Sequence, residues 1–583
     1  MPAAVKKNKL NKGYMDFQIE VNNKLIRVQE GDSLLTALRS NGFKVPTLCH
    51  MNRFSPTGAC RLCVVEVEGK RDLVTSCAHP VKEGMKVRTN SQRVMRARKS
   101  LVELLLSNHP DDCLYCQRNG HCELQWLAEE MNVKERKYFA RKNAQYPDYS
   151  SSSVARDPAK CVLCSRCVRM CEEVQLVTAI DFISRGNQTM VNSAFNKGLN
   201  VSSCIHCGQC IQVCPTAALL DISHLEKVQA ALARKGTEVM FFISPSVVAS
   251  VAESLELKPR QKVLERIAAA LRRCGAGRVF DMGTASDIHV VEEARQLAGL
   301  IRDKKDDQLP MISSCCPSWV YYAEMFRPQS LEQLAGTKSP QQLFGSLLKT
   351  DYAKRAGVEA EQVFSVAVMP CVAKKYESTL ESNTHKGISE VDAVLTVREL
   401  FRLLRSFGLD IARMEEEGVD SPYNGSSAAA WKLGYSGGKA EAVARELHRM
   451  MDDKRADQFK FIQPKNPGNR RETRVTIGND QLGFAWVSSI AEAEAYLREL
   501  EEEGRRDIHY VEVMACLGGC AGGGGQPISR GFEKSMARKK MCVEMEKINP
   551  FASAGENPAV RDLCGTEGDN PAHETFRQWI KRT

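Results

Sequence analysis

Thiols at metal-ligand spacing dominate this sequence. Of the 23 Cys in 583 residues, fifteen lie between Cys49 and Cys214. Cys49, Cys60, Cys63 and Cys77 follow C-x10-C-x2-C-x13-C, and His109, Cys113, Cys116 and Cys122 follow H-x3-C-x2-C-x5-C. Cys161, Cys164, Cys167 and Cys171 follow C-x2-C-x2-C-x3-C, and Cys204, Cys207, Cys210 and Cys214 repeat it before Pro215. Soft ligands this close together let one loop wrap a metal centre, and the chemistry they suggest is electron transfer through iron–sulfur clusters. A disulfide framework is the other use of many cysteines, but it suits small secreted chains. This chain is long, has an odd cysteine count and opens on a basic stretch, Met1 to Tyr14, without the apolar core of a secretory signal.

The spacings separate cluster types. Three cysteines on one loop with a fourth farther on, as in Cys49 to Cys77, suit a plant-type [2Fe–2S] site, although the first gap is longer than usual. A four-cysteine zinc site is the alternative; zinc ribbons pair two C-x2-C knuckles, and here there is one. Cys113, Cys116 and Cys122 need a fourth ligand to hold a [4Fe–4S] cluster, and His109 lies just upstream. A His before Pro is by itself more often a surface residue. Before three cysteines it reads as a ligand, and a neutral imidazole in place of a thiolate tends to raise the reduction potential. The two four-cysteine runs resemble the two-cluster bacterial ferredoxins, in which the fourth cysteine of each run serves the other cluster. One [4Fe–4S] cluster then uses Cys161, Cys164, Cys167 and Cys214, and the other uses Cys171, Cys204, Cys207 and Cys210. Clusters in a row form a wire, and something at its far end must use the electrons.

Eight cysteines follow Cys214. Ser313-Ser314-Cys315-Cys316-Pro317-Ser318-Trp319 and Met369-Pro370-Cys371 each come directly after a strand pattern, where α/β folds gather their sites. Met514-Ala515-Cys516-Leu517-Gly518-Gly519-Cys520 precedes a glycine run, Gly522 to Gly525. That run lacks the Gly-Lys-Ser/Thr ending of a phosphate loop and better suits a backbone closing over a bulky group. Cys316, Cys371, Cys516 and Cys520 make a fifth set of four. Cys274 reads as a core or helix-end thiol, and Cys542 and Cys564 have no partner spacing, so no C-terminal metal site is expected.

These ligands need elements to hold them. Phe17 to Val28 alternates as a strand would. Asp32 or Ser33 can cap a helix over Leu34 to Ser40, Val64 to Val67 reads as a strand, and Gln92 to Leu106 as a helix. Pro147, the serines Ser150 to Ser153 and Pro158 mark residues 143–158 as a linker. Beyond Asp221 the patterns alternate. Strands are expected over Val239–Ile243, Arg278–Phe280, Met311–Ser313 and Val363–Val368, with helices over Lys262–Arg273, Val290–Arg302 and Pro340–Arg355. Such alternation predicts an α/β domain with a largely parallel sheet. The length suggests about three to five domains. Apolar residues at 43% and charged residues at 26% exclude a mostly disordered chain. The net charge of +10 does not call for nucleic acid and suits an acidic electron carrier. No uninterrupted apolar run reaches about 18 residues, so no membrane span is expected, and the expected location is the cytoplasm.

The back-half segments carry a family resemblance. Ser314-Cys315-Cys316-Pro317-x-Trp319, Met369-Pro370-Cys371-x-x-Lys374-Lys375 and Glu512-x-Met514-Ala515-Cys516-x-Gly518-Gly519-Cys520-x-x-Gly523-Gly524-Gly525-Gln526-Pro527 are similar to the three signatures of the [FeFe]-hydrogenases. The chain resembles the long, multi-cluster form of that family from about Tyr14 to its end. Pro558 to Trp579, with Ala572-His573-Glu574, resembles the family's C-terminal segment. The front also resembles the iron–sulfur subunit of NADH dehydrogenases. The fold this resemblance implies is multidomain α/β. It has a β-grasp plant-type ferredoxin domain over 14–92 and a small [4Fe–4S] module with one His and three Cys ligands over 93–142. A two-cluster bacterial ferredoxin domain follows over 143–225, then a large catalytic domain with mixed sheets over 226–583.

The implied cofactors are one [2Fe–2S] cluster, three [4Fe–4S] clusters and one H-cluster. In the last, Cys316, Cys371, Cys516 and Cys520 would hold a [4Fe–4S] cubane, with Cys520 bridging to a diiron subsite that carries CO, cyanide and an azadithiolate. Lys374 would donate to one cyanide, an anionic ligand that an ammonium suits. Ser246, after Pro245, would contact the other. Met369 and Met514 would wall the diiron unit with soft side chains, and Gln341 matches a contact near it. Cys315 would carry protons, with Glu293 behind it. The sequence departs from the family's pattern at Gln296 and Ala335, where a second glutamate and a serine are usual, and at Leu517. The outer half of the proton route is then left to water or to another side chain.

The expected function is reversible H₂ oxidation and proton reduction, with electrons passing to a ferredoxin or another redox carrier and with diiron maturation proteins as helpers. Two alternatives stand beside it. One is the catalytic subunit of a complex with flavin- and NAD(P)-binding iron–sulfur subunits, since the sequence has no dinucleotide motif of its own. The other is an H₂ sensor or weakly active relay, motivated by Gln296 and Ala335.

Overall fold

The computed structural model describes residues 16–140, 146–423, 425–452, 459–463, 468–478, 480–528 and 533–564. The basic N-terminal stretch and Ala572-His573-Glu574 lie outside the described residues.

The alternating stretch Phe17 to Val28 is not one strand but a hairpin, Asp16–Val21 against Lys24–Gln29. Asn22 and Asn23 make the turn with φ of 49° and 66°, the left-handed pair that two-residue hairpins require and that Asn tolerates. Alternation alone does not show where a strand reverses; the Asn-Asn pair was the available signal. Lys86–Arg88 lies parallel to the first strand and antiparallel to Val64–Val67, giving a five-stranded sheet. The helix Leu34–Ser40 covers it, capped by Ser33, whose hydroxyl accepts from Thr36 N at 3.2 Å.

Small modules with little core are joined by guanidinium groups aimed at backbone carbonyls. Arg98, on the helix Gln92–Ser107, is buried and donates to Thr89 O and Val64 O at 3.0 and 2.8 Å, fixing that helix to the first module. Arg118 donates to Cys214 O at 2.8 Å, and Arg166 grips both oxygens of Glu123 at 2.7 and 3.2 Å. The linker expected over 143–158 proves to be packed structure in its described part. Val154–Arg156 pairs with Leu219–Asp221, and Ser151 and Ser153 are buried, Ser151 Oγ lying 3.2 Å from His206 Nδ1. Serine runs signal loops when their hydroxyls face water; here they serve the backbone of a cluster-binding fold.

The back half holds two four-stranded sheets. Arg278–Asp281, Glu238–Ile243, Val363–Met369 and Ala393–Thr396 run all parallel in that order. Met311–Ile312, Tyr510–Met514, Asp480–Ser488 and Arg470–Ile477 form a mixed sheet, antiparallel only between the last two. Strand residues split by parity between two cores, as a sheet covered on both faces requires. Val239, Phe241 and Ile243 enter one core, whereas Met240 and Phe242 enter another that also takes Phe484, Trp486 and Tyr510 of the mixed sheet. The helix Gly283–Arg302 runs through this shared core. It begins seven residues before the expected start at Val290 because Asp287 and His289 are polar yet fully buried, which hides the apolar stripe. Pro340 opens a helix that continues through a wide turn at Leu348–Tyr352 to Ala356.

Two buried ion pairs at the seam fasten the front to the back. Lys375 Nζ lies 2.8 and 2.7 Å from the Glu399 oxygens and 2.5 Å from Ile222 O. Thr396 Oγ1 and Arg398 reach Asp221 at 2.9 Å each. Lys375→Met leaves the Glu399 carboxylate buried without a cation and is expected to cost about 3–5 kcal/mol. Faster hydrogen exchange at Leu219–Asp221 and a lower denaturation midpoint would show it; unchanged exchange would mean the pair carries no such load.

Candidate active site

Four strands of the two sheets end on one cavity. Ile243 leads to Ser244-Pro245-Ser246, Ile312 to Ser313 through Cys316, Met369 to Pro370-Cys371, and Met514 to Ala515-Cys516. Parallel strands deliver their carboxyl ends to the same side, so residues far apart in sequence meet there. The cavity, about 780 Å³, is lined by Cys315, Cys316, Cys371, Cys516 and Cys520 together with Pro245, Ser246, Met369, Lys374 and Met514. Every residue assigned to this site from the sequence lines it except Gln341 and Glu293. Gln341 stands behind the wall formed by Pro340; its Nε2 donates to Lys374 O at 3.0 Å and to Glu377 Oε2 at 3.3 Å. Glu293 stands behind Cys315.

Two smaller cavities lie in the dicluster region, with volumes of about 430 and 440 Å³. Cys161, Cys164, Cys167 and Cys214 line one, and Cys171, Cys204, Cys207 and Cys210 the other, the crossed sets anticipated from the repeat. Among the described residues no three His, Cys, Asp or Glu side chains converge on a single ion.

Burial pushes the Cys164, Cys204 and Cys371 thiols up to about 12. Thiolates form there only against a cationic group, which is the coupling expected of metal ligands. Backbone N–H groups already point at sulfur: Leu48 N at Cys60 Sγ, 3.3 Å; Leu163 N at Cys161 Sγ, 3.4 Å; Ala179 N at Cys171 Sγ, 3.3 Å. His109 is buried, its Nδ1 has no hydrogen-bond partner, and burial pushes its imidazole down to about 4. A neutral ring with an unused buried nitrogen, on the chain segment that carries Cys113, Cys116 and Cys122, fits a metal ligand.

The glycine run packs backbone between two cavities. A Cβ on Gly524 would lie 2.5 Å from Cys207 O, and Gly523 and Gly525 abut Pro370. The second dicluster cavity and the Cys371 wall of the active-site cavity are therefore separated by little more than main chain. Cys542 and Cys564 are buried on the C-terminal helices and line none of the three cavities.

Family models match along the chain. A 2Fe-2S iron–sulfur cluster binding domain covers residues 15–92, and an NADH-ubiquinone oxidoreductase-G iron–sulfur binding region covers 98–137. A 4Fe-4S dicluster domain covers 153–221, and the C-terminal domain of the iron only hydrogenase large subunit covers 237–524. The chain is 36% identical to the NADP-reducing hydrogenase subunit HndD of Solidesulfovibrio fructosivorans over 96% of its own length and 97% of that protein. It belongs to the iron-only, or [FeFe], hydrogenase family. It is also 33% identical to iron hydrogenase 1 of Clostridium pasteurianum, over 97% of this chain and 100% of that one. Solved structures of [FeFe]-hydrogenase HydA1 from Chlamydomonas reinhardtii share its catalytic fold, with a TM-score of 0.55 at 24% identity over 62% of this chain and 98% of theirs.

This hydrogenase interconverts H₂ with protons and electrons, and its front iron–sulfur domains relay the electrons. Its Lys374 ammonium, at the cavity wall, is held by Glu377 at 2.8 and 3.0 Å and by Cys315 O at 3.3 Å. Sequence reasoning missed Glu377, although its position three residues after Lys374 on one helix was a usable signal. It also missed His289, Lys439 and Tyr510, which surround Glu293. Among the described residues no helix is long and apolar enough to cross a membrane.

Replacing His109 tests the outermost assignment. His109→Ala is expected to lose one cluster, read as less iron per chain and one fewer paramagnetic signal. His109→Cys should keep the cluster at a lower potential, because a thiolate adds negative charge. Unaltered iron and signals in His109→Ala would remove His109 from the ligand set.

Proposed function

We propose that this hydrogenase works at an H-cluster held by Cys316, Cys371, Cys516 and Cys520, wired to the surface through three [4Fe–4S] clusters and one [2Fe–2S] cluster. The observation that carries this reading is the single cavity where four strand ends bring these cysteines together with Lys374 and Cys315. When bound, the diiron part of the cluster supplies the place where H₂ is made and split. Lys374, braced by Glu377, donates hydrogen bonds to an anionic ligand there, and Ser246 does so from the opposite loop. Met369, Met514 and Pro245 give the site an apolar wall that excludes water. The Cys315 thiol holds the proton nearest the reaction, and Glu293 exchanges it with the interior behind.

The front divides, in this reading, into a β-grasp ferredoxin-like domain over 14–92, a His-and-three-Cys module over 93–142 and a two-cluster domain over 143–225. The catalytic domain then spans 226–583. The electron partners are flavin- and NAD(P)-binding iron–sulfur subunits. The likeness of residues 98–137 to the NADH-ubiquinone oxidoreductase-G region and full-length similarity to an NADP-reducing hydrogenase subunit support them over a free ferredoxin. A catalytic role, and not a sensory one, is supported by the proton-bearing groups packed behind Cys315.

The test is co-expression with diiron maturation proteins, followed by infrared spectroscopy and H₂ assay. Bands of metal-bound CO and cyanide are expected in the wild type and absent in Cys520→Ser; their absence from an iron-replete wild type would sink the H-cluster assignment. Cys315→Ala and Glu293→Gln should keep the bands yet lower H₂ turnover by about a hundredfold or more, the contribution of a positioned proton-transfer group. Near-normal turnover in Cys315→Ala would mean that protons enter elsewhere.

A further inference from the structure

Behind Cys315 lies a closed set of polar side chains. Lys439 sits at the start of the helix Gly438–Asp452, where Gly437, with φ of +87°, lets the turn pass against the Trp486 ring. Its Nζ lies 2.7 Å from Glu293 Oε1, 2.7 Å from His289 Nε2 and 3.1 Å from Ser313 Oγ. His289 is one helical turn before Glu293, and its Nδ1 lies 2.9 Å from Lys338 O. A carbonyl only accepts, so Nδ1 carries a proton, and Nε2 lies 3.1 Å from Glu293 Oε1 as well as beside the ammonium. Glu293 Oε2 accepts from the Tyr510 hydroxyl at 2.6 Å. The Cys315 thiol lies close enough to His289 and Lys439 for all three to shift one another's titration. Lys439, His289, Glu293 and Tyr510 are all fully buried.

Stability alone does not account for this cluster. Desolvating an ammonium and a carboxylate costs several kcal/mol for each ion, and apolar residues of similar volume often serve the fold as well or better. The other direction out of Cys315 offers an amide and a methyl group where an acid and a hydroxyl would carry a proton. Gln296 spends its amide tying down a loop, donating to Thr337 Oγ1 at 2.7 Å and accepting from Gly336 N at 2.9 Å. Ala335 is buried and has nothing to donate. Glu293 Oε1 meets Lys439 at 2.7 Å and His289 Nε2 at 3.1 Å, and Oε2 meets Tyr510 at 2.6 Å, whereas its one contact toward the Gln296 side, Ser314 N, is long at 3.5 Å.

We infer that Lys439 is a positioning residue for proton transfer, holding the Glu293 carboxylate in place behind Cys315 and beside His289, so that the relay behind the thiol is this buried cluster and not the Gln296–Ala335 side. The inference rests on the assignment of Cys315 and Glu293 to proton delivery. The groups facing the ammonium are Glu293 and His289 from one helix, Cys315 from its loop and the more distant Glu512 from the strand Tyr510–Met514. Glu512 turns its oxygens to Gly437 N and Ala440 N at 2.8 Å each. Burial pushes Glu293 up, but the Lys439 ammonium, joined by His289, overrides this and holds it well below the usual carboxylate range. In Lys439→Met, His289 alone opposes burial, and the Glu293 carboxyl is expected to move up. Once protonated at neutral pH, Glu293 is unable to accept, and it regains that ability only as the pH rises through its new, higher value.

Infrared difference spectroscopy on the matured full-length protein, with isotope-labelled glutamate and Glu293→Gln as the reference, reads the state of Glu293 directly. The wild type should show a carboxylate at neutral pH, and Lys439→Met a carboxylic acid, with the CO and cyanide bands in place. H₂-oxidation turnover in Lys439→Met should fall by about tenfold to a hundredfold at neutral pH, with the pH profile moved to the alkaline side. Lys439→Met with Glu293→Gln removes both buried charges and should mature with the turnover of Glu293→Gln alone, since Lys439 acts through Glu293. A carboxylic acid at Glu293 in the wild type, an ionised Glu293 with an unmoved profile in Lys439→Met, or a further loss in the double variant would each overturn the inference. If Cys315→Ala and Glu293→Gln lose turnover while Lys439→Met changes nothing, only the role of Lys439 falls. If those two retain turnover, the relay assignment itself falls.

Discussion

Everything in the catalytic half follows from the need to bring four thiols into one dry place. A cysteine in a low-dielectric interior resists ionisation, and the Cys371 thiol pushed up to about 12 shows how strongly. Only a cationic group of matching size makes such a set favourable, so the protein must build the cage before the metal can repay it. Parallel strands do this because their carboxyl ends share one side of a sheet. Two sheets facing across a common core double the number of ends available, and the Cys315–Cys316, Cys371 and Cys516–Cys520 segments come from both.

The same constraint shapes the path of the electrons. Clusters exchange electrons well only when little lies between them, and a side chain on Gly524 would strike the carbonyl of Cys207. The glycine run is therefore a packing device that brings the dicluster domain against the wall holding Cys371. Farther out the modules have small cores, and guanidinium groups do the joining. Arg98 and Arg118 each reach buried backbone carbonyls across a module boundary, and each such contact also satisfies an acceptor that would otherwise be stranded.

Protons need the opposite of a dry wall, and the proposed relay draws on one corner of the structure. Lys374 with Glu377 at the cavity edge and Lys439 with Glu293 and His289 behind Cys315 are two separate buried cation–carboxylate sets. The first presents a hydrogen-bond donor to the site. The second surrounds the thiol with groups that hold and exchange protons. Keeping them apart lets one cation stay fixed on its ligand while the other serves groups that change protonation.

The cysteine spacings by themselves marked where thiols gather in the front half, because one loop of fixed length carries them, and the likeness of the two runs to bacterial ferredoxins implied the crossing of Cys214 and Cys171 seen in the linings of the two dicluster cavities. The alternation of strand and helix patterns beyond Asp221 likewise marked an α/β domain, since period-two burial is a property of the strand itself. Only the tertiary structure decided where the chain reverses at Asn22-Asn23, that the Ser151 and Ser153 hydroxyls pack inside, and that Gln341 stands behind Lys374 and not on the wall. It alone joined Lys439 to Glu293, residues 146 positions apart. A buried polar side chain looks like a solvated one in sequence; its meaning lies in the partner that satisfies it, and that partner comes from another element of the fold.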